Sequence, residues 1–192
     1  DLGPQSLRAT QTNYTSMGDN VSELNQLYAN LDATKLSVGI TGNLATDGTG
    51  LALFLDTHSG GQNTLDTASF SQPPGGIPQV DGMVLDSGFS ADFIVFVNAF
   101  SGSIYVDLYE LSTGGGGVKT YLGSGTVGDG DGFLNGGNNP NGAEIAINNS
   151  NLAGVTASSA DQAGTAVTGI EMSLPLADLD VAPPDGRIRM MA

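Results

Sequence analysis

Short stretches in which apolar and polar residues alternate run along most of the chain, and this period of two predicts strands. Residues 104–111 show it most clearly, because the Ile, Tyr, Val and Leu residues there favour a pleated surface. Residues 94–97 are apolar at every position, which predicts a central strand covered on both faces. The pattern predicts about ten strands, over residues 6–12, 24–31, 36–43, 51–56, 92–99, 104–111, 118–126, 143–148, 168–174 and 187–191.

One segment, residues 21–30, also fits a helical spacing through Val21, Leu24 and Leu27. We interpret it as at most one helical turn followed by a strand, because every later segment is strand-like. No crossover helix is available for a parallel sheet. The expected fold is therefore all-β: a two-sheet antiparallel β-sandwich, jelly-roll-like, that forms a single domain over residues 1–192.

Three long segments interrupt the strands and are rich in Gly, Asn and Ser, at residues 57–89, 128–141 and 149–167. Loops of this length in a globular domain are usually functional. We expect them to hold an ion, to pack against the body of the protein, or to pack against neighbouring copies.

Composition narrows the classes of function. The 192 residues include 20 Asp and Glu against 5 Lys and Arg, which gives a net charge of −15. This balance disfavours nucleic acid and an anionic membrane surface as partners, because both are bound by clustered cations. No apolar run is long enough for membrane insertion, and the lack of Cys excludes disulfides and thiolate chemistry. Asp1 rather than Met at the first position indicates either a processed form or an excised piece of a longer protein. The Asp-rich, Lys-poor composition without Cys predicts that the protein is secreted, extracellular or at the cell surface.

Calcium is the cofactor that the acidic loops predict, as a structural Ca²⁺, because carboxylate, amide and carbonyl oxygens are its preferred ligands. One candidate site combines Asp19, Asn20 and Glu23 with Asp56, if the first strands bring them together. The alternative is that these residues serve turn formation through their own side-chain hydrogen bonds. The remaining candidate ligands are Asp86 with Asp92, and Asp129 and Asp131 with Asn135.

Three tyrosines, Tyr105, Tyr109 and Tyr121, are predicted to line one face of two neighbouring strands, where they could stack a sugar ring. The alternative is that they cap the edge of the core with their hydroxyls in water.

Catalytic patterns are weak. Glu144 and Glu171 are the candidates for a glycosidase carboxylate pair, which we disfavour because the chain has no Trp to hold a sugar ring. His58 lies between acidic and hydroxyl residues, but neighbours on a strand end point to opposite faces and cannot form a relay. We therefore expect no enzymatic activity.

Several blocks of the sequence together resemble a known family: residues 17–24, 36–44, 53–57, 60–65, 86–93 and 169–176. Their order is similar to that of secreted bacterial β-sandwich proteins of the PEP-CTERM-associated type, and more distantly to carbohydrate-binding family 9 and DOMON-like sandwiches. The resemblance implies a sandwich fold and secretion.

Two functions follow as expectations. The first is a non-catalytic extracellular structural or interaction module that packs with copies of itself or with other extracellular proteins in a cell-surface, matrix or filament assembly. Strand addition by residues 1–12 or 187–192 would be its mechanism. The alternative is a carbohydrate-binding module with a polysaccharide partner.

Overall fold

The architecture is that of a two-sheet antiparallel β-sandwich, which confirms the predicted fold class. The computed structural model describes residues 2–15, 17, 20–70, 76–181 and 187–192. Within them the strands are β1 (Leu7–Thr10), β2 (Glu23–Leu31), β3 (Lys35–Asn43), β4 (Asp47–Asp56), β5 (Phe93–Phe100), β6 (Ser103–Leu111), β7 (Gly117–Thr126), β8 (Asn135–Gly136), β9 (Glu144–Ile147), β10 (Gly169–Pro175) and β11 (Arg189–Met191).

The strands divide between a five-stranded sheet of order β1-β2-β3-β10-β9 and a six-stranded sheet of order β11-β4-β5-β6-β7-β8. Each predicted strand has a counterpart. The prediction missed β8, because two residues cannot show alternation. The strand predicted over residues 51–56 begins earlier, at Asp47, and its first residues pair irregularly with β5. The helical turn expected near residue 21 is not formed: residues 20–22 are a turn and β2 starts at Glu23.

The main core lies between the two sheets and is built from inward-facing aliphatic residues of both. Val38, Leu53, Val95 and Val106 are completely buried in it. Alternation along each strand sends every second side chain into this core and the others to the outer face.

A second core lies on the outer face of the six-stranded sheet, beneath the segment between β4 and β5. Leu65, Phe70 and Leu85 of that segment pack on Ile94 and Tyr109 of the sheet. Ile94 and Phe96 pack in this second core while Val95 faces the core between the sheets, so all three are buried, as their continuous apolar pattern predicted.

Two amides hold this covering segment in place, one by bonding to the connection between β6 and β7 and one by bonding within the segment itself. Gln62 donates from Nε2 to the carbonyls of Ser112 and Gly116, at 2.9 Å each. Asn63 Nδ2 donates to the carbonyl of Phe89 at 2.7 Å. The predicted packing of a long loop against the body is confirmed here.

The strands at the sheet edges are short. Leu7–Thr10 pairs with β2, and Arg189–Met191 pairs with β4. Residues 1–12 and 187–192 were expected to add to the sheet of another copy. The strand that each of them contains instead pairs within its own chain. In the described part of the chain, no helix has the length and apolar character needed to cross a bilayer.

Candidate functional site

The strand register determines which side chains lie next to each other on the outer face of the six-stranded sheet. On β6, Tyr105 and Asp107 point outwards, since Ile104 and Val106 fill the core between the sheets. Phe96 of β5 and Tyr121 of β7 both lie opposite Asp107. Cross-strand neighbours share a face, so these aromatic and charged side chains come together on the outer surface.

The described part of the covering segment, residues 57–70 and 76–92, packs over one half of this face and, apart from Gly76, leaves the other half uncovered. The open half forms a cavity of about 510 Å³, which we call the aromatic groove. Its volume is within the range of small-molecule sites. Phe100 and Tyr105 remain 54% and 42% exposed in it. The side chains that define its chemistry are Phe96, Phe100, Tyr105, Tyr121, Asp107 and Lys119.

The floor of the groove depends on a glycine. A Cβ atom at position 50 would lie 2.4 Å from Cζ of Phe96, so the ring occupies the space above Gly50. Phe96 therefore lies against the sheet and is only 6% exposed. The result is a recessed aromatic floor rather than a protruding ring.

An ion pair lies within the groove. Lys119 Nζ is 3.2 Å from Oδ2 of Asp107, a residue that is only 7% exposed. Burial raises the pKa of Asp107, although the Lys119 ammonium and the Tyr109 hydroxyl act in the opposite direction. Oδ1 of Asp107 is buried and accepts no hydrogen bond from any described residue. Asp107 thus keeps one unpaired oxygen beneath the surface of the groove, beside the Lys119 ammonium group.

The three predicted tyrosines share a face but not an environment. Tyr105 and Tyr121 line the aromatic groove. Tyr109 is completely buried, with its ring against Phe70 at a centroid distance of 4.8 Å and an angle of 72°. The prediction that Tyr109 can stack a sugar ring is therefore wrong. Burial, followed by the Asp107 charge, raises the pKa of the Tyr109 hydroxyl, which lies 3.5 Å from Oδ2 of Asp107.

Apart from Tyr105 and Tyr121, sequence reasoning missed the residues that line the groove, among them Phe96, Phe100, Asp107 and Lys119. The alternation of Phe96, Asn98 and Phe100 on β5 was a signal that one face carries aromatics. The register between strands, which places them beside the tyrosines, has no such local signal.

The first predicted calcium site is divided by the structure. Asp19 lies outside the described residues. Glu23 is buried at the start of β2. The preceding residue, Ser22, accepts a hydrogen bond from the Ala45 backbone N–H, so this end of β2 lies near the start of β4. Asp56 is the last residue of β4, a strand about 30 Å long at the usual rise per residue. Asp56 is therefore not brought to Asn20 and Glu23.

Asp56 and Asp92 have protein partners. Asp56 Oδ2 lies 2.5 Å from Arg189 Nη2 and accepts from the Ser90 backbone. Asp92 Oδ2 accepts from the backbone N–H groups of Thr57 and His58, at 2.7 and 3.0 Å.

His58 contacts Asp92 in turn, with Nδ1 3.3 Å from Oδ1. Asp86, the predicted partner of Asp92, is exposed. His58 therefore lies beside one carboxylate rather than in a catalytic relay.

Asp129 and Asp131 organise their own turn. The carboxylate of Asp129 accepts from the N–H of Asp131 at 3.4 Å, and that of Asp131 accepts from the N–H of Phe133 at 3.0 Å. Both are exposed, as is Asn135. Across the described ranges, no three Asp, Glu or His side chains converge as a metal-ligand group.

Glu144 and Glu171 lie on the outer face of the five-stranded sheet. Glu144 is opposite Ser173, and Glu171 is opposite Ala146, so the two are diagonal neighbours on β9 and β10. Both line a cavity of about 190 Å³, and none of the described residues in its wall is aromatic. A sugar ring would find no stacking partner there.

Compared with protein-family models, with curated proteins and with solved structures, the chain matches none of them.

Proposed function

We propose that this chain is a non-catalytic extracellular binding module whose aromatic groove takes a carbohydrate. The observation that carries the proposal is the open half of the outer face, where Phe100, Tyr105 and Tyr121 surround a recessed cavity. The extracellular setting is supported by the acidic, Lys-poor composition and by the family resemblance.

The chemistry of the groove suits a neutral ligand rich in hydroxyl groups. Apolar ring faces accommodate the C–H face of a sugar. Lys119 can donate to a sugar hydroxyl, and the hydroxyls of Tyr105 and Tyr121 can donate or accept. The charges of Asp107 and Lys119 neutralise each other, and the carboxylate of Asp47, which also lines the groove, disfavours an anionic ligand.

Binding to immobilised or soluble neutral polysaccharides tests the proposal. Tyr105→Ala and Tyr121→Ala should each lower affinity at least tenfold, equal to about 1.4 kcal/mol, because each removes a stacking surface. Tyr14→Ala is the matched control, since Tyr14 is 67% exposed and does not line the groove.

Affinity gel electrophoresis against a panel of neutral polysaccharides gives these affinities directly. Equal losses in all three tyrosine variants, or no binding to any member of the panel, would contradict the proposal.

Self-association as a structural module is the second candidate function. The observation that favours it is β1, a sheet-edge strand whose four residues are all exposed, including the apolar Leu7. One side of this strand pairs with β2, and its other edge offers backbone groups to another chain. Its short length makes it a weaker feature than the groove.

A further inference from the structure

The feature that carries a further inference is a buried carboxylate at the end of the sandwich where β2 begins. Glu23 is only 4% exposed and lies directly opposite Asn43 in the pairing of β2 with β3. Its Oε1 accepts a hydrogen bond of 2.6 Å from Nδ2 of Asn151. Its Oε2 is buried and has no hydrogen-bond partner among the described residues.

No cationic side chain compensates Glu23 in the part of the chain that the structure describes. The ion pairs found there join His58, Lys119 and Arg189 to other carboxylates. An ionised carboxylate removed from water without a counter-charge is strongly destabilising. The protein already carries a net charge of −15, so its own field does not relieve this cost.

Neutral oxygens belong to the same hydrogen-bonded network, because Asn151 bonds to both Glu23 and Asn43. The backbone carbonyls of Asn20 and Asn151 both accept from Nδ2 of Asn43, at 2.6 and 2.9 Å. Oδ1 of Asn43 accepts from the Asn151 N–H at 3.3 Å. A carbonyl oxygen has two lone pairs, so each of these oxygens keeps one after its hydrogen bond.

We propose that a calcium ion binds at Glu23, with Oε2 as its charged ligand and oxygens of Asn20, Asn43 and Asn151 as its neutral ligands. Calcium takes six to eight oxygen ligands in flexible geometry and accepts amide and carbonyl oxygens together with carboxylates. Magnesium fits less well, because it demands a regular octahedron and retains its waters.

The ion would join three stretches of the chain that are far apart in sequence. Asn20 and Glu23 flank the start of β2, Asn43 ends β3, and Asn151 belongs to the long segment between β9 and β10. The site therefore has a structural role, and it is independent of the aromatic groove on the other sheet.

Thermal unfolding with calcium or with EDTA, at equal ionic strength, tests the site. Calcium at about 100 times its Kd should raise the Tm by roughly 5–10 °C, and the same concentration of magnesium should raise it less. Glu23→Gln keeps the size of the side chain but removes the charge, and should abolish the calcium response.

Two controls locate the ion. Glu110→Gln removes an exposed charge of β6 and should respond to calcium like the unmodified protein. The double variant Asp129→Asn with Asp131→Asn removes the other acidic loop and should also keep the full response. Should Glu23→Gln fail to fold, Glu23→Asp retains the charge on a shorter arm and should need at least tenfold more calcium for the same Tm shift.

Three results would overturn the proposal. They are an unmodified protein whose Tm is equal in calcium and EDTA, a Glu23→Gln variant that keeps the full response, and a Glu23→Asp variant with undiminished calcium affinity.

Discussion

Single carboxylates organise several turns of this protein, and Asp32 between β2 and β3 is the clearest case. Its Oδ1 accepts from the backbone N–H and the hydroxyl of Thr34, at 2.7 and 2.8 Å, and from the Lys35 N–H at 3.0 Å. These hydrogen bonds, led by that of the Thr34 backbone, lower the pKa of Asp32 from its usual 3.8. The charged form therefore stabilises the turn.

The pH dependence of Asp32→Asn follows from this lowered pKa. The stabilisation is complete above the unfolded value of 3.8 and is lost as the pH falls through the lower folded value. The variant should be less stable than the unmodified protein near neutral pH, and the difference should shrink in acid. Urea unfolding at neutral and at acidic pH measures the difference in stability.

Asp161→Asn is the control, because Asp161 is exposed and its carboxylate accepts no hydrogen bond in the described structure, and it should show no such trend. A difference for Asp32→Asn that does not change with pH would contradict the stabilising role of the ionised Asp32.

The arrangement of Tyr105, Tyr109 and Tyr121 could be predicted only in part from the sequence. Their shared face could be predicted from the period of two along β6 and β7. The burial of Tyr109 could not, because Phe70, which covers it, is 39 residues away and belongs to a segment without periodic pattern. Long-range cover has no local signature in a sequence.

At the scale of elements, the connection between β4 and β5 acts as a third layer on half of one sheet. Phe70 of this layer is 6% exposed, and its ring packs edge-on against Tyr109 of the sheet below. In the described residues of this layer the only helical element is a short 3₁₀ turn at Ile77–Val80, and isolated antiparallel bridges join Gln62 to Ala91 and Thr64 to Val84. Backbone hydrogen bonds and buried side chains therefore hold the layer in place together.

Removing this anchor should destabilise the protein. Phe70→Ala is expected to lower the free energy of unfolding by about 3–5 kcal/mol, the usual cost of truncating a buried phenylalanine. The tyrosinate titration of Tyr109 should also move towards its ordinary pKa, because burial is the main cause of the rise. Denaturant unfolding and ultraviolet titration measure the two effects.

Val84→Ala provides the comparison within the same segment, since Val84 is 68% exposed. It should change stability by less than about 0.5 kcal/mol. Equal effects of the two substitutions would show that Phe70 is not the anchor.

The elements themselves were largely predictable, because antiparallel strands with one face buried carry strong alternation. The first residues of β4 were not, since Asp47, Gly48 and Thr49 have the composition of a turn and also form one: Asp47 Oδ1 accepts from the Thr49 hydroxyl at 2.7 Å. Strand pairing continues there despite the local turn chemistry. The polar contacts of Glu23 with Asn151 were equally hidden, because they span 128 residues.

At the scale of the whole molecule, the net charge and the short edge strands both disfavour association between copies. A net charge of −15 makes copies repel at low ionic strength, and the edge strands of both sheets have at most four residues. Assembly through β1 therefore requires that salt or a divalent ion first screens the repulsion.

Light scattering across a series of salt and protein concentrations decides whether assembly occurs. We expect the mass of one chain, 19.4 kDa, at low ionic strength. Larger particles that form at about 0.15 M salt, where the screening length falls to about 8 Å, would support the second candidate function. Leu7→Lys should suppress such particles, and a constant monomer mass under all conditions would rule assembly out.

The partial cover over the six-stranded sheet has a consequence for how such a module can diversify. The groove ends where the β4–β5 connection begins to pack, at the boundary between Phe96 and Tyr109. Shortening that connection would extend the open platform and lengthening it would close the platform, while the strands and the core between the sheets stay unchanged. Under the proposed function, the number of sugar units accepted is set by the length of one loop.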